Sequence, residues 1–167
     1  MGTITAKMQE ALNAHLEQEL YSAYLYLAMS AHCERRAFKG FARWLRVQHG
    51  EELEHARKVL DHVLSRGGQP TLGAIPAPPR EFGSIVEVFE AVLEHELLVT
   101  ERIHGLYATA GVEKDAATQV FLQWFVSEQV EEENAATEIL DRLRMVGDRP
   151  GAALYLDKEY GKRGKAG

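Results

Sequence analysis

The chain has 167 residues, of which 46% are hydrophobic and 26% are charged, and its formal net charge is −6. This composition is ordinary for a globular protein, and the length predicts one domain over residues 1–167 that can bury a core. The negative charge argues against nucleic acids and acidic membranes as partners. One cysteine excludes an internal disulfide, and no apolar run suits a signal peptide or membrane span, so we expect a cytoplasmic protein.

Glycine and proline divide the chain into five predicted helices. We assign the first break to Gly40, and Gly67 ends the second helix ahead of a stretch that holds four of the five prolines. Ser84 and Glu87 then form a predicted capping box that opens the third helix. No alternating β-pattern competes. The predicted helices cover about 5–34, 38–66, 84–110, 115–146 and 150–160.

Loop lengths predict how these helices are arranged. Short turns join the first helix to the second and the third to the fourth, so each pair is expected to be antiparallel. The proline-rich link is long enough to cross the whole bundle, which starts the third helix at the same end as the second. The predicted fold is all-α: a four-helix bundle with one long crossover and a short fifth helix. The basic tail GKRGKAG is expected to be a frayed, solvated terminus.

Each long helix carries a stripe of core-type positions, with steps of three and four, that a glutamate interrupts near its middle. The interruptions are Glu19, Glu52, Glu96 and Glu132, and His55 follows Glu52 by one turn. One glutamate on such a stripe usually means that the stripe is drawn slightly wrong. Four at the same depth of a bundle predict that the carboxylates converge.

Four buried carboxylates repel one another and lose hydration, and no Lys or Arg at mid-stripe neutralises them. A bound cation is the simplest compensation, and four carboxylates favour two divalent ions. Carboxylates with one imidazole and no thiolate suit iron or manganese better than structural zinc. Gln129 lies beside this predicted site. Tyr26, on the first stripe, is expected to hydrogen-bond a ligand, to donate an electron, or simply to pack in the core.

Three more glutamates, Glu51, Glu128 and Glu131, flank the predicted site. They form either a weaker third ion site or a solvated acidic face. The remaining histidines are expected mostly on the surface: His15, His32, His49, His95 and His104. His62 lies on the second stripe, two turns from His55, but has no acidic neighbour on the other helices. Four aromatic residues are assigned to packing: Trp44, Trp124, Tyr21 and Tyr24.

Several stretches resemble the non-haem ferritins of bacteria and archaea, and together they cover nearly the whole chain. They are QELYSAYLYLAMS, FARWLRVQHGEELEHARKVL, VLSRGGQP, HELLVTERIH, FLQWFVSEQVEEE and LYLDKEYG. The resemblance implies iron storage in a hollow homo-oligomeric shell, expected to have 24 subunits. Each subunit of such a protein binds two Fe(II) ions at a ferroxidase centre, where O₂ or peroxide oxidises them before the ferric product is deposited as mineral.

Position by position, the resemblance implies that Glu19, Glu52 and His55 form the first iron site, with Glu52 bridging to the second. Glu96 and Glu132 correspond to that second site.

The resemblance also implies roles for the neighbouring residues. Gln129 corresponds to a position near the bound oxygen, and Tyr26 to a tyrosine beside the centre. Glu51, Glu128 and Glu131 correspond to a third iron site.

Two departures separate the chain from other ferritin-like proteins. Bacterioferritins carry a haem-ligating methionine where this chain has Leu53, so no haem is expected. They also carry a second E-x-x-H motif on the fourth helix, whereas Ala135 stands here. The alternatives to iron storage are a di-iron redox enzyme that acts on peroxide or an organic substrate without storing mineral, and a purely structural bundle.

Overall fold

The structure is a computed structural model that describes residues 2–164. Its five helices are within two residues of the predicted ends, and the described residues contain no strand. The all-α prediction is therefore confirmed. No helix in this part of the chain is both long and apolar enough to cross a membrane. The helices are α1 (Ala6–Arg35), α2 (Lys39–Ser65), α3 (Ile85–Val112), α4 (Ala116–Val146) and α5 (Pro150–Tyr160).

Side-chain caps fix where three helices begin. The Thr5 side chain caps α1 by accepting from the backbone N–H of Met8, and Asp115 caps α4 in the same way. At the start of α3, the Ser84 hydroxyl accepts from the Glu87 N–H and the Glu87 carboxylate accepts from the Ser84 N–H. The predicted capping box is present, because its two hydrogen bonds depend on residues only three positions apart.

The residue that turns the chain between α1 and α2 is not the predicted Gly40. The chain turns at Ala37, whose φ of 66° is left-handed, and Gly40 lies inside the first turn of α2. A Cβ atom on Gly40 would lie 1.7 Å from the carbonyl oxygen of Asp157 in α5. Glycine is therefore needed for the close approach of α5 and not for the turn. The Asp157 carboxylate accepts from the N–H groups of Gly40 and Phe41, at 3.0 and 2.8 Å.

Contacts between helix ends agree with the predicted crossover. The Ile4 N–H donates to the Arg66 carbonyl at 3.1 Å, so α1 starts where α2 ends. The His32 ring lies 2.8 Å from the Gly83 carbonyl, so α1 ends where α3 starts. Residues 66–84 thus run the length of the bundle, and α3 begins at the same end as α2.

The apolar core forms two clusters, one toward each end of the bundle. The first includes Phe41 and Phe89, near the starts of α2 and α3. The second includes Leu12 and Ile103, toward the opposite end. Between the clusters lies a layer of buried polar side chains that every long helix contributes to. The predicted pattern of apolar ends and a polar middle is present in all four.

The basic tail is not the free terminus that the sequence predicts, as far as the structure describes it. Residues 161–164 turn back onto α2, where a Cβ on Gly164 would lie 2.9 Å from Val47. The Arg163 guanidinium donates to the Glu51 carboxylate at 2.7 Å and covers the Trp44 ring. A carboxylate and an aromatic face thus hold this side chain. Residues 165–167 lie outside the described residues.

Candidate metal centre

Five of the predicted ligands come together in the polar layer between the two apolar clusters. Glu19 lies on α1, Glu52 and His55 on α2, Glu96 on α3 and Glu132 on α4, and none is more than 6% exposed. They share this depth because each stands near the middle of its helix. Glu52 and His55 therefore face the interior of the bundle.

Glu19, Glu52 and His55 form the tightest part of the layer. Each offers a ligand atom within 4.8 Å of the others, and they are the one group of three or more potential ligands that residues 2–164 contain. His55 Nδ1 lies 3.1 Å from Glu52 Oε2 and 3.9 Å from Glu19 Oε2. Both Glu19 oxygens are buried and accept no aligned hydrogen bond. Buried carboxylate oxygens beside an imidazole fit a divalent ion such as iron or manganese.

Glu96 and Glu132 are held separately, by neutral hydrogen-bond donors. The Tyr26 hydroxyl donates to one oxygen of Glu96, and Gln129 Nε2 donates to the other at 3.0 Å. Gln48 Nε2 donates to Glu132 at 2.7 Å. These two carboxylates lie outside the tight group of three. They complete the ring of acids that lines the middle of the bundle.

Burial and mutual repulsion shift the carboxyl groups toward their protonated forms. Burial and the Glu96 charge raise the pKa of Glu132 to about 8, against the Gln48 hydrogen bond. Burial raises the pKa of Glu96 to about 7, although Tyr26 and Gln129 donate to its charged form. Burial, followed by the Glu19 charge, raises the pKa of Glu52 well above its usual range. Without a cation, protons relieve part of the repulsion.

Glu19 differs because the imidazole of His15 is in reach. Burial acts to raise its pKa, but His15, with smaller contributions from Glu52 and His55, brings the value below the ordinary one. His15 Nε2 lies 2.8 Å from Glu19 Oε1, and His15 is 5% exposed. The prediction of a surface position for His15 is wrong. Its spacing of four residues from Glu19 was the available signal, since such residues share a helix face.

The surface prediction also fails for three other histidines, His32, His49 and His95, because the buried helix faces are wider than the predicted stripes. His95 is buried, and its Nε2 lies 2.8 Å from the Ser22 hydroxyl. His32 is also buried, whereas His49 and His62 are half-buried. Of the six histidines other than His55, His104 alone is exposed.

The packing assignment holds for two aromatic residues and fails for two. Trp44 is buried and Tyr21 is half-buried, as core residues should be. Trp124 and Tyr24 are 39% and 48% exposed. Trp124 nevertheless covers one side of the centre, because its ring meets the His55 ring edge to face with centroids 5.1 Å apart.

The flanking glutamates do not gather as tightly as the central ligands. Glu51 and Glu128 are half-buried, and Glu131 is exposed.

Burial lowers the pKa of His55 even though Glu19, Glu128 and Glu51 favour its charged form. His55 is thus held toward the neutral imidazole, which is the form that ligates metal ions.

The family model that matches this chain is the ferritin-like domain, over residues 9–146. The chain belongs to the ferritin-like domain family. The resemblance and the fold predicted from the sequence are thereby confirmed.

Similar proteins come from bacteria and archaea. This ferritin-like chain is 41% identical to the bacterial non-heme ferritin of Bacteroides fragilis over 160 residues, which cover 96% of this chain and 99% of the relative. The bacterial non-heme ferritin of Staphylococcus saprophyticus is 39% identical over 160 residues, 96% of each chain. The solved open-pore ferritin of the hyperthermophilic archaeon Archaeoglobus fulgidus is 50% identical with a TM-score of 0.95, covering 96% of this chain and 99% of that one.

Proposed function

We propose that this chain stores iron. It oxidises Fe(II) with O₂ or peroxide at a dinuclear centre and deposits the ferric product as mineral inside a homo-oligomeric shell, expected to have 24 subunits. Membership of the ferritin-like family and the bacterial non-heme ferritin relatives support storage. One observation carries the ferroxidase activity: the buried ring of carboxylates, with ligand atoms of Glu19, Glu52 and His55 within 4.8 Å of one another.

The proposed ligands form binding positions for two iron ions. Glu19, Glu52 and His55 hold the first ion, Glu52 bridges to the second, and Glu96 and Glu132 complete the second position. Anionic oxygen ligands in a buried site stabilise a trivalent ion more than a divalent one, so they favour loss of an electron from Fe(II). The same charges attract the next ferrous ions once the ferric product has left.

Tyr26 and Gln129 act on this chemistry through Glu96. Both donate hydrogen bonds to its carboxylate, and Gln129 Nε2 also donates to the Glu96 carbonyl at 3.1 Å. Burial, then the Glu96 charge, raises the pKa of Tyr26 well above its usual range, so the phenol stays protonated as a donor. We also propose that Tyr26 supplies an electron to the oxidant and that Gln129 faces the oxygen beside the second ion, as the resemblance implies.

The remaining assignments follow from the sequence. Residues 1–167 form one ferritin-like domain, which holds iron and no haem, since Leu53 stands at the haem-ligand position. The expected location is the cytoplasm, which the single buried Cys33 supports because it is a free thiol.

The test counts iron. Fe(II) is added to metal-free protein without oxygen, air is admitted, and ferric iron retained per chain is measured after desalting. Iron storage predicts many ferric ions per chain, formed faster than in buffer. Retention that stops near two ferric ions per chain favours the alternative, a di-iron redox enzyme. If the protein neither retains ferric iron nor accelerates its formation, the proposed centre is refuted.

A matched pair of variants on α2 ties the result to the centre. Glu52→Ala removes the bridging ligand and is expected to slow oxidation at least about tenfold. Glu54→Ala, two residues away, removes an exposed carboxylate that pairs with Arg57, and is expected to behave like the wild type.

A further inference from the structure

Arg163 brings a positive charge from the end of the chain to the edge of the proposed centre. Its Nη2 donates to Glu51 Oε2 at 2.7 Å, and its guanidinium carbon lies 4.5 Å from the centroid of the Trp44 ring. Trp44 is 4% exposed and therefore a fixed support. Glu51 directly precedes the bridging ligand Glu52. The Arg163 guanidinium thus contacts the residue that directly precedes the proposed ligand Glu52.

The backbone around Arg163 is held in place by close contacts with α2. A Cβ on Gly161 would lie 2.6 Å from the Gly40 Cα, and a Cβ on Gly164 would lie 2.9 Å from Val47. Glycines therefore let the turn at 161–164 press directly against the helix. The Arg163 side chain is 27% exposed, and its Nη1 atom is buried. An arginine held at the backbone, the aromatic face and the carboxylate is an ordered part of the site.

The other two flanking glutamates have no such partner among the described residues. Within residues 2–164, Glu128 and Glu131 form no ion pair, whereas Glu51 pairs with Arg163. A guanidinium remains protonated at any pH at which the protein is folded. A divalent ion bound at Glu51 would therefore meet a fixed like charge and would have to displace a charge-assisted hydrogen bond. Without Glu51, the acids left for a third ion are one half-buried and one exposed glutamate.

We infer that Arg163 is a built-in cation that keeps Glu51 out of metal coordination and so limits the centre and its flank to two metal ions per chain. This inference rests on the proposed function, because it presupposes a two-ion centre. It makes Arg163 a positioning residue, which acts on the metal ions through Glu51. The Arg163 guanidinium thus occupies the position beside Glu51 that a third ion would otherwise take.

The test counts Zn²⁺ bound per chain by the metal-free full-length protein, by calorimetric titration and by equilibrium dialysis. Zn²⁺ is used because it does not change oxidation state. The wild type is expected to bind two ions and Arg163→Gln three. Arg163→Lys keeps the charge and is expected to bind two. Lys162→Gln removes the neighbouring exposed charge, which pairs with Glu159, and is also expected to bind two.

A double variant separates this effect from a loosened structure. Glu51→Gln combined with Arg163→Gln removes the carboxylate that the third ion needs, so the count is expected to return to two. If Arg163→Gln does not assemble, Arg163→Met keeps an apolar stem on Trp44 and is expected to bind three.

Three other outcomes would contradict the inference about Arg163. Two ions in the correctly folded Arg163→Gln and Arg163→Met variants overturn it, and so do three ions in the wild type, while both results leave the di-iron centre standing. A wild type that binds none refutes the centre, and the inference with it.

Discussion

Three of the four ligand carboxylates are held by a partner outside the tight group of Glu19, Glu52 and His55. His15 approaches Glu19, Gln48 donates to Glu132, and Tyr26 donates to Glu96. Such partners fix the direction of a ligand's lone pairs before the ion arrives. Their loss typically lowers metal affinity about 10- to 100-fold, although they never touch the ion.

His15 is the partner whose removal gives the cleanest test. His15→Leu fills a similar volume beside Phe125 but removes the group 2.8 Å from Glu19, so Zn²⁺ affinity at the first site is expected to fall about tenfold. Calorimetric titration of metal-free protein measures the change. His104→Gln, which alters an exposed histidine, is the control. Equal affinity in the two variants would show that His15 does not orient Glu19.

The sequence predicted the ligand candidates better than their partners, for a physical reason. Glu19, Glu52 and Glu96 stand on the stripe positions that any bundle buries, so helical periodicity alone predicts them. His15 lies at the edge of the stripe, and whether that edge is covered depends on the neighbouring helix. Arg163 reaches Glu51 only through the fold of the C-terminal turn, which no local pattern indicates.

At the scale of the helix, the start of α2 is set by α5. The Asp157 carboxylate accepts from the Gly40 and Phe41 N–H groups, which an isolated helix would leave without partners. The Tyr160 ring stacks on the Phe41 ring with centroids 5.9 Å apart. Because Asp157 O lies where a Gly40 Cβ would be, the two helices fit only with glycine at this position.

Two glycines of α2 are therefore expected to respond in opposite ways to alanine. Gly40→Ala should lower the free energy of unfolding by about 1–3 kcal/mol, because its Cβ collides with the α5 backbone. Gly50→Ala should raise it by about 0.5–1 kcal/mol, because its Cβ meets nothing within 4 Å and alanine favours the helix. Urea unfolding followed by circular dichroism measures both. Stabilisation by Gly40→Ala would contradict the close approach.

The far end of α2 is joined to α4 by a polar cluster. Arg66 donates to Asp115 at 2.6 Å, and His62 Nε2 lies 2.9 Å from the Thr118 hydroxyl. The His62 ring also stacks on Phe121, with centroids 4.0 Å apart. Burial and then the Arg66 charge lower the pKa of His62, against the Asp115 charge.

His62 is expected to make the metal-free protein less stable in acid. Its pKa in the folded protein is below its ordinary value of 6.5, so the unfolded chain takes up the proton first. The stability that it contributes is complete above pH 6.5 and declines as the pH falls below that value. The drop in unfolding free energy from pH 7.5 to 5.5, measured with a chelator present, should be smaller in His62→Gln than in the wild type. His104→Gln should match the wild type; a similar reduction there would contradict the assignment to His62.

The residues that start a helix were predicted where they act locally, whereas the residue that turns the chain between α1 and α2 was not predicted. Ser84 and Glu87 signal the start of α3 from within one turn. The left-handed Ala37 was not predicted, because alanine has no intrinsic preference for positive φ and the packing of two helices imposes it.

At the scale of the molecule, the polar layer separates the two apolar clusters and brings four carboxyl groups to the middle of the bundle. In the metal-free protein, the raised pKa values of Glu96 and Glu132, about 7 and about 8, mean that both groups bind protons more tightly in the folded state. Their contribution to stability is complete below the ordinary value of 4.5. It is lost as the pH rises through 7 and 8.

Metal ions are expected to stabilise the whole bundle, and more strongly at pH 8 than at pH 6. Divalent ions replace the protons and neutralise the carboxylates, so their binding competes with protonation at low pH. At a fixed Zn²⁺ concentration that is 100 times the dissociation constant at pH 8, each site should add about 2.7 kcal/mol to the unfolding free energy at pH 8 and less at pH 6. Calorimetry with Zn²⁺ or chelator at both pH values measures this difference, and Glu132→Gln should reduce it. Equal stabilisation at the two pH values would rule out these groups as ligands.

The crossover also divides the chain into two halves that carry different numbers of proposed metal ligands. Its segment 71–77 is exposed and belongs to no helix, which makes it the natural place for a cut. Glu19, Glu52 and His55 would stay with one fragment, and Glu96 and Glu132 with the other. Neither helical hairpin alone would enclose two ions. A gene split at this segment would thus encode two fragments that share both apolar clusters, which would drive their reassociation, and bound ions would strengthen it by joining ligands from both fragments.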